Sequence, residues 1–162
     1  MIRLFVIATV LWLAAFSCHG QEKVEYKTYV EVGQTLPMTV FGDIQGLQIV
    51  LTDSSNNKLL VLFATWCHDS QRAMKAIMAS HLATQTNIDI IGIGREESVE
   101  SLKNFAAEYQ LNFPLVADTD RSIYAQFANA GVPRLILIDG NNTIVKTIIA
   151  ENEQPLAQVQ WH

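Results

Sequence analysis

Cysteine is scarce in this chain: two in 162 residues, far apart at Cys18 and Cys67. No Cys-x-x-Cys pair is present, so a dithiol–disulfide cycle between neighbouring cysteines is excluded. Clusters of cysteine and histidine at ligand spacing are also missing, with His19 and His81 isolated, so neither a metal nor a cofactor is implied. Positive charge is in short supply. Eleven Lys and Arg stand against 16 Asp and Glu, a formal net charge of −5, which argues against a nucleic-acid partner. Repeats, low-complexity stretches and a second composition regime are lacking too. What remains is 49% apolar residues, enough for one ordinary domain with a core.

An almost wholly apolar stretch, Leu4 to Phe16, follows Arg3 and is short for a membrane span. A polar start at Gln21-Glu22-Lys23 follows Ser17-Cys18-His19-Gly20. This pattern predicts a secretory signal over 1–20 and a single domain over 21–162; length disfavours a retained anchor. Cleavage after Gly20 would place Cys18 and Gly20 at the positions a signal peptidase reads. Ala15-Phe16-Ser17-Cys18 is a loose lipobox, making lipidation at Cys18 the route to a membrane, although Phe16 is bulky for that motif. Either event leaves Cys67 as the one free thiol and takes Arg3 away, so the remainder is more acidic still. The expected location is outside the cytoplasm, in a bacterial periplasm or cell envelope.

Alternating segments at Tyr29–Val32 and Met38–Phe41, punctuated by Gly33 and Pro37, predict short edge strands, and Leu47–Leu51 another. Lys58–Ala64 reads as a buried strand after the polar turn Asp53–Asn57. Met74, Ile77, Met78 and Leu82 carry helical spacing. Ile88–Ile93 predicts a strand, Ser98–Tyr109 a second helix, Phe113–Val116 an extended piece and Arg121–Asn129 a third helix with Ile123, Tyr124 and Phe127 inward. Leu135–Asp139 and Thr143–Lys146 form a hairpin around Gly140-Asn141-Asn142, and Pro155–Gln160 suggests a closing helix. The expected fold is an α/β sandwich with a mixed sheet.

The chemistry centres on Ala64-Thr65-Trp66-Cys67-His68-Asp69-Ser70. A thiol at a strand-to-helix turn lies near the positive end of the helix dipole, which favours the thiolate. His68, when protonated, is a candidate to tune that thiol, while Asp69 acts the other way. Ser70 is a candidate hydrogen-bond donor to the sulfur. The same three residues equally read as helix caps. Trp66 reads as part packing and part lid over the sulfur. Glu96, Glu97 and Glu100 read as an acidic helix start, and Arg134 as a solvated strand-edge charge.

Thr65-Trp66-Cys67, Gly131-Val132-Pro133 and Ile138-Asp139-Gly140 resemble the bacterial envelope thioredoxins of the TlpA/ResA type. Val32-Gly33-Gln34 with Leu36-Pro37, and Phe113-Pro114-Leu115 with Asp118, match their opening and middle segments in order. The resemblance covers roughly 30–150 and implies a thioredoxin-like fold with thiol–disulfide chemistry. It makes Cys67 the attacking residue, with Ser70 in place of the resolving cysteine. Pro133 takes the place of the family's cis-proline, and Val132 offers its backbone to an extended substrate. The family's proton-accepting acid lies six residues before or after the attacking cysteine, where this chain has Val61 and Ala73.

Three functions fit these residues. The first is a monothiol protein that forms mixed disulfides with protein or small-molecule thiols and depends on an external thiol for turnover. The second is a binding module that keeps the groove without catalysis. The third, a one-cysteine peroxidase, is disfavoured because proline is absent ahead of Cys67 and Thr65 is at the wrong offset.

Overall fold

A computed structural model describes residues 25–161; the segment expected to be a signal, Cys18 and His19 lie outside the described residues. The central strand, β3 (Asn57–Phe63), is buried on both faces, and its run Leu59-Leu60-Val61-Leu62-Phe63 reflects that. β4 (Ile88–Arg95) pairs with it in parallel and β5 (Leu115–Asp118) continues beyond β4. On the other side β6 (Arg134–Ile138) and β7 (Ile144–Ile149) run antiparallel. The five-stranded order is β5-β4-β3-β6-β7, a mixed sheet as expected. β1 (Val40–Gly42) and β2 (Gln48–Val50) form a separate ribbon rather than edge strands of that sheet.

Side chains alternate across the sheet and split the core in two. Leu59, Val61 and Phe63 meet Met74 and Ile77 of α1 (His68–Ala79) and Leu102 and Phe105 of α2 (Val99–Tyr109). Leu60, Leu62, Ile91 and Ile93 face the other way, against Phe41, Leu51, Tyr124 and Phe127. Both helices therefore cover one face, and the β1–β2 ribbon with turns and loops covers the other.

The predicted third helix is the main departure. Tyr124 and Phe127 do point inward and Ile123 is half-buried, but the segment makes only a 3-10 turn at Tyr124–Gln126. Asp118 takes the Ile123 and Tyr124 N–H groups on its carboxylate at 2.9 and 2.7 Å. Ala128 then leaves to bridge Thr28, so a continued helix would forfeit that pairing. Tyr29–Val32 is no strand; nearby pairing is limited to the Thr28–Ala128 and Thr35–Thr143 bridges. α1 stops at Ala79, before Leu82, because the Ser80 hydroxyl donates to the Ile77 carbonyl and accepts from Leu82 N–H. The closing segment makes turns rather than a helix, and Trp161 fixes it by donating to the Ile138 carbonyl at 2.9 Å.

Candidate functional site

Sheet register builds the site. Leu62 pairs with Arg134, so the chain leaving β3 and the chain entering β6 emerge side by side. Cys67 lies on the first and Val132-Pro133 on the second. The Val132–Pro133 bond is cis, the form the resemblance implies. Cys67 is the N-cap of α1 in extended conformation, and its side chain takes no part in capping. The sulfur, half-buried, instead donates to the Val132 carbonyl oxygen at 3.4 Å.

The neighbours of Cys67 divide by burial. Ser70 is fully buried and its hydroxyl accepts the Ala64 N–H at 3.3 Å, which ties the first helical turn to the end of β3. His68 is exposed. Asp69 pairs with Arg72 one turn along rather than with His68. Trp66 is 63% exposed, so it packs far less than the sequence reading expects, and Arg95 stands 5.8 Å from its ring centre. Arg134 is not a solvated edge charge. It is 3% exposed inside the sheet, where it donates to the Ala130 carbonyl and to Thr28 Oγ1.

Glu97 is a site residue whose role sequence reasoning missed. It stands directly before the Ser98 N-cap of α2, as an acidic helix start, but it is 5% exposed and turned toward the loop after β3. Its carboxylate accepts the Thr65 N–H at 2.7 Å, the Thr65 hydroxyl at 2.6 Å and the Ser101 hydroxyl at 2.6 Å. The parallel register of Phe63 with Gly94 carries Thr65 and Glu97 to the same end of the sheet. Glu97 thus positions the loop that presents Cys67. The absent acids at 61 and 73 were the one signal that could have prompted a search for another buried carboxylate.

An open groove of about 330 Å³ passes over the sulfur, lined by Tyr26, Trp66, Cys67, Asp69, Arg95, Gly131, Val132 and Glu151. A second recess of about 370 Å³, between Ile49, Leu51, Leu82, Ile88 and Phe113, lies at the opposite end of the sheet and holds no thiol.

A cysteine at the N-cap position of the helix after the central strand, with its sulfur on the residue before a cis-proline, defines a thioredoxin-fold protein of the TlpA/ResA type. The chain belongs to the AhpC/TSA family, whose model matches residues 32–147. It is 27% identical over 127 residues to the thiol-disulfide oxidoreductase ResA of Bacillus cereus, covering 77% of this chain and 73% of that protein. Identity to ResA of Bacillus subtilis is 28%, over 75% and 69% of the two chains. Among solved structures it resembles a putative protein disulfide isomerase from Bacteroides thetaiotaomicron, at 28% identity and TM-score 0.73, covering 83% of this chain and 88% of that one.

Proposed function

We propose that this protein is a monothiol thiol–disulfide exchange protein of the bacterial cell envelope. In this reading Cys67 is the nucleophile. The observation that carries it is the position of the sulfur: at the N-terminus of α1, free of capping, and 3.4 Å from the Val132 carbonyl in an open groove. Relatives that bear the name thiol-disulfide oxidoreductase support the reaction class.

The reaction balances without a second protein cysteine. The Cys67 thiol gives its proton to solvent, and its sulfur attacks a disulfide RS–SR′. The Cys67–SR bond forms as RS–SR′ breaks, and R′S⁻ leaves and takes a proton. An external thiol R″SH then attacks the mixed disulfide, giving RS–SR″ and returning Cys67 as thiol. Val132 offers main-chain groups to an extended substrate, and Trp66 and Pro133 shape the groove. Ser70 supplies a hydroxyl beside the helix terminus where a dithiol protein would carry its resolving sulfur, and His68 contributes positive charge when protonated. The clients are disulfides of proteins or small molecules, and export by the 1–20 signal places the protein among them. Membrane attachment would run through Cys18.

Three variants, a disulfide peptide and dilute peroxide test this. Wild type should form a mixed disulfide with a model disulfide peptide at least about tenfold faster than an unstructured cysteine peptide does, and Cys67→Ser should form none. Ser70→Cys should release the bound peptide without added thiol. A wild-type rate no faster than the unstructured control would refute the exchange reading; peptide capture persisting in Cys67→Ala would then favour a binding module. Rapid sulfenic acid formation with dilute peroxide, without disulfide exchange, would favour the peroxidase.

A further inference from the structure

The groove has two flanks of different origin. On the β4 side stand Trp66 and Arg95; on the side of β6 and β7 stand Gly131, Glu151 and Tyr26. Tyr26 comes from the segment before the first strand, far from Cys67 in sequence. Its placement is nevertheless closely determined. Asn129 holds the backbone on both sides of it, accepting the Lys27 N–H at 2.7 Å and donating to the Glu25 carbonyl at 2.8 Å. Arg134 reaches Thr28 Oγ1 at 2.8 Å, and Tyr29 N–H donates to the Phe127 carbonyl at 2.8 Å. The Tyr26 ring lies so close on Gly131 that a side-chain carbon there would meet it at 3.1 Å. Its hydroxyl faces Glu151, whose acceptor oxygen and charge, with some burial, hold the phenol above its ordinary value of 10.0.

We infer that Tyr26 is a specificity-determining residue of the Cys67 groove, and that Tyr26 and Trp66 together select an extended client segment with an aromatic or large aliphatic side chain next to its cysteine. This rests on the exchange reading for the covalent step but not for the selection. Two rings, 43% and 63% exposed, flank a single sulfur. Neither ring contacts enough of its own chain to be buried, and a client side chain laid between them would remove apolar surface from water on both. The charges point the same way. Among the described residues that line the groove, Asp69 is paired with Arg72 and Arg95 with Glu96, which leaves the Glu151 carboxylate as the charge without an ion-pair partner there, and it disfavours an acidic small thiol.

The test uses two otherwise identical peptides, one with phenylalanine and one with glycine beside a single cysteine. Activated as mixed disulfides, they should react with wild type at rates differing by about tenfold in favour of phenylalanine, the effect of burying roughly one ring. Tyr26→Ala should reduce that ratio to about threefold or less, and Tyr26→Phe, which keeps the ring, should retain it. Equilibrium binding of the fluorescently labelled, reduced peptides to Cys67→Ala, with and without Tyr26→Ala, reads the same preference without any chemistry at sulfur. Equal affinity for both peptides in that arm, or a ratio untouched by Tyr26→Ala, overturns the inference. Loss of reaction with preference intact in the binding arm would instead count against exchange alone.

Discussion

The two faces of the central sheet are covered by different means. One carries α1 and α2, whose apolar stripes meet Leu59, Val61 and Phe63 as continuous packed surfaces. The other carries β1–β2, the Thr28 region and the turns from Asp118 to Gly131, fastened at separate points by Asp118, Asn129 and Arg134. The helical face distributes its stabilisation over many apolar contacts, whereas the irregular face depends on a few polar side chains. That second face supplies Tyr26, Gly131 and Val132 to the groove, so stability and site geometry are largely assigned to opposite sides of one sheet.

Ile77→Ala should have the largest thermodynamic effect. Ile77 is fully buried beneath the helical face, and truncation there costs about 2–5 kcal/mol. Denaturant unfolding should shift by that amount while the alkylation rate of Cys67 in the folded state stays at the wild-type value. A changed alkylation rate would show that the faces are less separate than their packing implies.

Asp118→Ala is the converse case. It removes the acceptor of one buried and one partly buried N–H bond and should cost about 1–3 kcal/mol, less than Ile77→Ala. Its mark should be local: amide exchange at Ile123 and Tyr124 should accelerate before that of β3, and Cys67 alkylation should change. Uniform acceleration across β3 and both helices would dissolve the distinction.

The smallest effect concerns Lys58, whose ammonium is fully buried and donates to the Ser54 and Asn56 carbonyls at 2.7 and 2.9 Å. Burial pushes its pKa below 10.5, against a weaker upward pull from Asp89 and Asp139. Between that depressed value and 10.5 the unfolded chain binds more protons than the folded one, so this group adds stability as pH rises through the window. The stability of wild type relative to Lys58→Met should therefore increase as pH rises toward 10.5. A difference independent of pH would contradict the assignment.

This division also explains what could be read in advance. Apolar periodicity identified both helices and the buried run of β3, because those elements bury a regular stripe. The strand-to-helix turn singled out Cys67 and Ser70 locally, and the family resemblance supplied Gly131-Val132-Pro133; each lies within a few residues of its own context. Arg121–Asn129 misled because Ile123, Tyr124 and Phe127 do face inward at helical spacing, while Asp118 and the Thr28–Ala128 bridge divert the backbone. Glu97, Arg134 and Tyr26 were out of reach. Their partners at Thr65, Thr28 and Gly131 are set by strand register and long-range contact, which no window of sequence contains.

Tyr124 has one consequence for how the groove can move. Its ring lies under Arg95 at 5.2 Å, its hydroxyl donates to the Gly131 carbonyl at 2.6 Å, and its N–H is held by Asp118. One buried side chain therefore bolts both flanks to the same point. The groove should behave as a fixed jaw, its width unchanged from one client to the next, and a client too broad for it must adjust its own shape.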